Sequence, residues 1–301
     1  MTERNGTERN RLCSSLLCRV MGFGYDLQLG VFPKVVRIET TNACNAECVI
    51  CPHRKMTRPV RRLDEALYRA IIDECSSFAC KEVHLHNFGE PLLDTRLEMF
   101  IGYAKSKGIP RVKIFSNGSL LSEERAKGLI EAGLDEIKIS FDGASKEEFE
   151  AIRLPLKFDE IVENIFRLVD LRNRQKSMLK VRVACCSTSN QSETMALLGS
   201  RVDSFSFGKI HNWGTEGYET RAVGVRKPCS RVWRTLTILA SGDVSLCCLD
   251  YDGQVNLGRV DASNRIAAIW RSSAYKRIRQ LHKRARQDEV PLCAHCSKAF
   301  L

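Results

Sequence analysis

From residue 35 to about residue 210, short runs of alternating or continuous apolar residues take turns with longer runs of helical period. Strand-like runs fall at 35–41, 82–88 (EVHLHNF), 111–116 (RVKIFS), 136–141 (EIKISF), 181–187 (VRVACCS) and 202–208 (VDSFSFG). Helical runs lie between them near 64–76, 95–107, 122–132, 146–152 with 158–173, and 192–199. Six β/α units in succession predict an α/β fold in which crossover helices cover a parallel sheet. Six are too few for the eight-strand barrel, so the expectation is an open, partial (β/α)6 barrel of TIM-like type.

Alternation within the strands assigns their faces. In 82–88, Val83, Leu85 and Asn87 share one side, and Glu82, His84, His86 and Phe88 the other. In 136–141, Ile137, Ile139 and Phe141 oppose Lys138 and Ser140; in 35–41, Val36 and Ile38 oppose Arg37, Glu39 and Thr41. Helices cover the apolar sides, so the polar sides look into the barrel. Branched apolar side chains usually fill such an interior. Here it would carry Arg37, Glu39, His84, His86, Lys138 and Ser140, a lining suited to a hydrated, hydroxyl- or charge-bearing substrate.

After residue 211 the pattern changes. A Gly-, Lys- and Arg-rich stretch (213–228) leads into a hairpin pattern, TLTILASGDVSLCC, with Ser241 and Gly242 at the turn. A short strand (VNLGRV), a basic helix (275–286) and a cysteine-bearing tail follow. The expected organisation is an extension at 1–34, the barrel at 35–212, a linker at 213–228 and a small β-hairpin/helix module at 229–301.

Composition narrows this picture little. The chain has 301 residues, 44% hydrophobic and 28% charged, enough to bury a full core. No apolar stretch approaches the roughly 20 residues of a membrane span. The first 27 residues start basic and carry only a broken apolar patch, with Glu3 and Glu8 among them; they read as an amphipathic packing segment rather than a secretory signal. Fourteen cysteines in so long a chain point to metal ligation in a reducing cytoplasm. Much of the net charge of +11 lies on the basic helix, a solvated face, and nucleic-acid binding is not expected.

The chemistry lies in the cysteines and the strand ends. Cys44, Cys48 and Cys51 stand in CNAECVICPH, just past the first strand. Three thiolates can hold three irons of a [4Fe–4S] cube and leave the fourth iron open to a small chelating molecule. The alternative is a zinc site completed by His53. The next three strands end in Asn87-Phe88-Gly89-Glu90-Pro91, Ser116-Asn117-Gly118 and Ser140-Phe141-Asp142-Gly143. Each is common turn chemistry alone, yet in parallel barrels catalytic groups gather at these strand ends. Near the C-terminus Cys229, Gly242 and Cys247 are separated by twelve and four residues, and Cys293-Ala-His-Cys296 follows. Four thiolates could ligate every iron of a second cluster, suited to passing an electron, or hold a structural zinc.

The spacing of Cys44, Cys48 and Cys51 resembles the signature of the radical S-adenosylmethionine (SAM) superfamily. The set Cys229, Cys247, Cys293 and Cys296 resembles its SPASM/twitch auxiliary module in one-cluster form. The resemblance implies two [4Fe–4S] clusters, SAM, and a reducing donor such as flavodoxin or ferredoxin. It also implies a 5′-deoxyadenosyl radical that takes a hydrogen atom from a substrate C–H. Gly89 and Glu90 match the segment that holds the SAM ammonium, although Phe88 stands where the family has a first glycine. Ser116, Asn117, Ser140 and Asp142 match positions that reach the ribose or the methionine carboxylate.

An auxiliary cluster suggests dehydrogenation of a polar small molecule: a sugar, an aminoglycoside or a nucleotide sugar. Epimerisation fits instead if Cys248 or Cys186 returns a hydrogen. Strand alternation would turn Cys248 away from Cys247, leaving it as spare ligand, core residue or hydrogen donor; one of Cys185 and Cys186 must likewise face the barrel. Cys75 and Cys80, Trp213, Trp233 and His211 read first as packing residues. A maturase of a ribosomally made peptide is the rival within the family, and a zinc protein that binds nucleic acid is the rival outside it.

Overall fold

A long helix α1 (Thr2–Leu27) leads to β1 (Val35–Ile38), α2 (Glu65–Ser77), β2 (Glu82–His84), α3 (Leu97–Ser106), β3 (Arg111–Ser116) and α4 (Glu123–Glu131). Then come β4 (Glu136–Ser140), α5 (Lys146–Ile152), α6 (Phe158–Arg174), β5 (Lys180–Cys185), α7 (Gln191–Leu198) and β6 (Ser204–Phe207). The rest is α8 (Arg231–Arg234), β7 (Thr235–Ile238), β8 (Asp243–Ser245), β9 (Asn256–Arg259), α9 (Ile266–Trp270), α10 (Ser273–Lys283) and α11 (Pro291–Ala294). The structure, a computed structural model, describes residues 2–185, 190–214 and 225–299. These form two compact units.

One unit comprises residues 37–210 and 239–241. Its strands run in the order β6-β5-β4-β3-β2-β1, parallel from β2 to β6. Among the described residues β1 and β6 do not pair with each other, so the barrel stays open. Val83, Val112, Ile114, Ile137, Ile139, Val181 and Val183 are fully buried, as the alternation requires. Helix starts are fixed by side-chain caps: Asp64 Oδ1 accepts from Leu67 N–H at 2.8 Å, and Ser122 and Ser145 cap α4 and α5 in the same way.

The second strand is shorter than its apolar pattern. Leu85 N–H still bonds the Lys113 carbonyl at 2.8 Å, but Phe88 N–H turns to the Glu39 carboxylate at 3.3 Å, and the backbone leaves the sheet. The fifth strand is described to Cys185, which is buried on the core side; Cys186 lies outside the described residues.

The other unit comprises residues 1–36, 211–238 and 242–301. β7 and β8 form the expected antiparallel hairpin, with Ile238 opposite Val244, and β9 adds antiparallel to β8. The N-terminal segment belongs to this unit. Gly22 of α1 meets α10 so closely that a Cβ there would stand 2.4 Å from Lys283 Cγ. Lys283 Nζ donates to Asp26 Oδ2 at 2.6 Å, and Trp233 Nε1 donates to Asp26 Oδ1 at 2.8 Å. Trp233 is therefore a packing residue. Most of the expected linker, 215–224, falls outside the described residues. No described helix is long and apolar enough to cross a membrane.

Candidate active site

Cys44, Cys48 and Cys51 share the loop after β1, and that loop is tied down on both sides. Cys51 N–H donates to the Cys48 carbonyl at 3.0 Å; Glu47 and Val49 N–H donate to the Leu154 and Ile152 carbonyls at 2.6 and 2.9 Å. Asn42 accepts from Arg61 N–H at 2.6 Å and donates to the Pro59 carbonyl at 3.0 Å. His53 Nε2 lies 2.7 Å from the Asn42 carbonyl, so that ring nitrogen is used within the loop. Burial pushes the Cys44 thiol up to about 12 and the Cys51 thiol to about 11, and neighbouring cysteine charges add to both. Cys44 and Cys51, whose thiols ionise only against burial and the charge of their neighbours, belong to a donor set that bound iron would relieve.

The strand ends converge beside this loop. Gly89 has φ +92°, and a Cβ on it would lie 2.6 Å from the Ala43 carbonyl oxygen and 2.7 Å from that of Thr41, so only glycine fits. Glu90 N–H donates to the Ala43 carbonyl at 2.7 Å. The Glu90 carboxylate is buried and accepts from Ser116 Oγ at 2.7 Å, Asn117 N–H at 2.7 Å and Leu92 N–H at 3.1 Å. Burial nevertheless pushes it up to about 7, and its charge in turn raises Cys44. Asn117 Nδ2 donates to Asn45 Oδ1 at 2.9 Å, joining the third strand end to the cysteine loop. Gly89, Glu90, Ser116 and Asn117 are thus brought together. Ser140 is half-buried at the end of β4, in register with Ala184.

Asp142 carries a partner that the sequence reading did not foresee. It is fully buried, and the Arg153 guanidinium holds its Oδ2, Nε at 2.7 Å. Arg153 Nη1 reaches to 3.8 Å from the Cys48 sulfur. Burial alone would lower the Arg153 pKa, but Asp142 and the Cys48 and Cys51 thiols outweigh it and hold the cation charged. The sequence reading missed this residue. The signal that could have found it is an arginine eleven residues after a strand-end aspartate.

The inner face of the sheet is a charged ladder. Arg37 lies 3.5 Å from His84, His84 is 3.0 Å from Glu82, and Lys113 spans Glu82 at 3.0 Å and Glu136 at 3.7 Å. Arg182 continues it, 3.3 Å from Glu136. Above the ladder His86 stacks on Phe115 at 4.4 Å, and Lys138 Nζ lies 5.1 Å from the Phe115 ring. Glu39 corrects the expected lining. It is fully buried and saturated by both arms of Arg58, at 2.8 and 2.9 Å, and by Phe88 and Ala240 N–H. It braces the backbone and does not face a substrate.

The other unit gathers a second cysteine set. The Arg231 pKa is raised by Cys248 above all, and by Cys247, Cys229 and Cys296, against burial. Cys293 is buried and feels the charges of Cys229 and Cys296. Cys248 thus acts on the same cation as Cys247, and the orientation that strand alternation would give it does not hold. β8 ends at Ser245, so Cys247 and Cys248 lie in a turn where strand alternation no longer separates them. Leu249 N–H points at Cys247 Sγ, 3.4 Å away, a bond suited to a ligating thiolate. Asn212 braces the last cysteines by donating to the His295 carbonyl and accepting from Ser297 N–H at 3.3 Å. Arg226 does so through the Ala294 carbonyl at 3.1 Å. The Cys229, Cys247 and Cys293 thiols, raised by burial first and by neighbouring thiols after it, suit a cluster here as well.

Comparison with known proteins agrees with this geometry. Residues 38–182 match the radical SAM superfamily and residues 229–297 match the SPASM iron–sulfur cluster-binding domain. The chain is 23% identical over 268 residues to the S-adenosyl-L-methionine-dependent 2-deoxy-scyllo-inosamine dehydrogenase of Niallia circulans, covering 87% of this chain and 92% of that one. It shares the fold of BtrN in complex with AdoMet and 2-DOIA: TM-score 0.63, 20% identity, 87% of this chain and 92% of the other. It also shares the fold of Streptococcus suis SuiB bound to precursor peptide SuiA: TM-score 0.69, 13% identity, 90% and 71%.

Proposed function

The chain belongs to the radical SAM superfamily, carries a SPASM iron–sulfur module and uses SAM with [4Fe–4S] clusters; from that premise we propose that it removes hydrogen from an alcohol carbon of a polar small molecule, giving a carbonyl. When bound, SAM and its cluster supply the hydrogen-abstracting radical. The chain's residues supply placement. Cys44, Cys48 and Cys51 would hold the SAM-binding cluster. The Gly89 and Glu90 segment would receive the SAM ammonium, with Ser116 and Asn117 fixing the Glu90 carboxylate and Ser140 near the ribose. Arg153, held by Asp142, would meet an anionic end of the cofactor. Cys229, Cys247, Cys293 and Cys296 would hold the auxiliary cluster, which suits the loss of a second electron from the substrate.

The observation that carries the substrate class is the inner face: Arg37, His84, Lys138 and Ser140 on strands, with His86, just past β2, stacked on Phe115 and the Lys138 ammonium beside that ring. A sugar, an aminoglycoside or a nucleotide sugar fits such a wall, as the inosamine named for the Niallia circulans dehydrogenase would. A reducing donor of flavodoxin or ferredoxin type and a cytoplasmic setting suit twelve described cysteines that form no disulfide with one another.

Epimerisation is the second reading, favoured by a fifth thiol, Cys248, beside the four that a cube needs. The test is anaerobic reconstitution followed by incubation with SAM, a reductant and a panel of amino-cyclitols, neutral sugars, nucleotide sugars and short peptides. The expected result is 5′-deoxyadenosine release above the uncoupled background with one polar small molecule, and loss of two hydrogens from it. Stimulation by peptides alone would overturn the reading.

A further inference from the structure

We propose that the outer face of α1 docks this protein onto an anionic lipid surface. Thirteen large apolar side chains are exposed among the described residues, and five of them fall between residues 16 and 31. Leu16, Val20, Phe23 and Leu27 are 67, 64, 64 and 74% exposed. Their spacing of four, three and four residues puts all four on one stripe of the helix. Cys18 and Gly22, on the opposite face, are buried, and Gly22 is the contact that seats α1 against α10. The stripe is thus held outward by a packed neighbour.

The charge beside the stripe selects the occupant. Arg19 is exposed on α1 itself. α10 runs antiparallel alongside: Gln287 Nε2 reaches Cys18 Sγ at 3.8 Å, Lys283 packs on Gly22, and Trp270 Nε1 donates to the Gly30 carbonyl at 3.2 Å. That neighbour exposes Lys276, Arg277 and Arg284, with Arg286 just beyond it. An apolar helix face with an exposed cation on its own helix and more on the helix packed behind it is the composition that lies in the interface of a membrane bearing acidic headgroups. A second copy of this chain would bring the same cations against themselves, on a molecule already at +11, so self-association is disfavoured by the charges that favour acidic lipid.

The experiment is co-sedimentation of the full-length, cluster-reconstituted protein with vesicles of phosphatidylcholine alone or with one quarter phosphatidylglycerol. Binding to the anionic vesicles is expected to be about tenfold or more tighter than to neutral ones, and to weaken when NaCl rises from about 0.1 to about 0.5 M. The double variant Val20→Glu/Phe23→Glu changes only exposed positions; it is expected to lose binding while retaining its far-ultraviolet dichroism and iron content. Failure of the parent protein to bind anionic vesicles would overturn the proposal, as would a double variant that binds equally well. So would a parent that sediments as a dimer without lipid while the double variant sediments as a monomer, which would assign the stripe to a second copy.

Discussion

Arg153 stands between a fully buried carboxylate and the sulfur of Cys48: its Nε is 2.7 Å from Asp142 Oδ2 and its Nη1 is 3.8 Å from Cys48 Sγ. The backbone explains the placement. The carbonyls on either side of it, Ile152 and Leu154, accept N–H groups from Val49 and Glu47 of the cysteine loop. Loop and arginine are therefore positioned by the same two hydrogen bonds, and Asp142 fixes which way the guanidinium points.

Removing one partner of this pair should be costly, because it strands a charge where little water reaches. The side chains of Arg153 and Asp142 are only 12 and 0% exposed. Asp142→Ala is expected to lower unfolding free energy by about 3–5 kcal/mol, and Asp142→Ala/Arg153→Met to recover more than half of that. Urea denaturation of the three proteins measures the cycle. A single-variant loss below about 1 kcal/mol would show that the pair does not hold the loop.

Gly89 offers a test confined to one site. A methyl group there would press on the backbone of Thr41, Asn42 and Ala43, atoms that cannot rotate away, and φ +92° adds strain for any other residue. Gly89→Ala should displace the turn that leads into Cys44 and leave the second cysteine set untouched. Iron after anaerobic reconstitution is expected to fall from about eight to about four per chain. Unchanged iron with unchanged thermal stability would mean that the cysteine loop is set by something other than this close approach.

Much of the fold was legible in the sequence because its signals are local. Strand alternation located the buried face, as with Val112 and Ile114, and the cysteine spacing located the first site. What escaped depends on contacts between distant residues. Arg153 is 105 residues from Cys48, and only its spacing from Asp142 marks it. Glu39 faces inward as alternation requires, but Arg58, from the segment wrapped over the loop, consumes it. α1 joins the C-terminal unit through a glycine that matters only once α10 lies against it. Strand alternation does not orient Cys248, because β8 ends at Ser245.

The ladder inside the sheet makes stability pH-dependent. The hydrogen bond to His84, opposed by burial and aided by Lys113, lowers the Glu82 carboxyl from 4.5 to about 2. A carboxyl whose folded pKa lies below its unfolded value stabilises the fold above the unfolded value, and that gain is lost as pH falls through the folded one. With solvent screening the contribution is about 1 kcal/mol at neutral pH. Glu82→Gln should therefore be less stable than the parent near pH 7, with the gap closing between about pH 5 and about pH 2. Chemical denaturation across that range checks it, and a gap that does not change with pH would remove Glu82 as its source.

Cys248 distinguishes the two reactions that the second cysteine set permits. Its sulfur and that of Cys247 both act on Arg231, so position alone does not say which one ligates; the N–H of Leu249 directed at Cys247 Sγ favours Cys247. Cys247→Ser is then expected to reconstitute with about four irons and Cys248→Ser with about eight. Reversed iron contents would exchange the two roles. With Cys248 free of iron, its thiol hydrogen exchanges with solvent, and turnover in deuterated water separates the reactions. Dehydrogenation leaves the product carbon without solvent deuterium, and Cys248→Ser keeps its product. Epimerisation places one deuterium on the inverted carbon, and Cys248→Ser continues to release 5′-deoxyadenosine while losing that labelled product. Mass spectrometry of the product from the parent and from Cys248→Ser decides between them, because a thiol that only fills space would change neither the label nor the product.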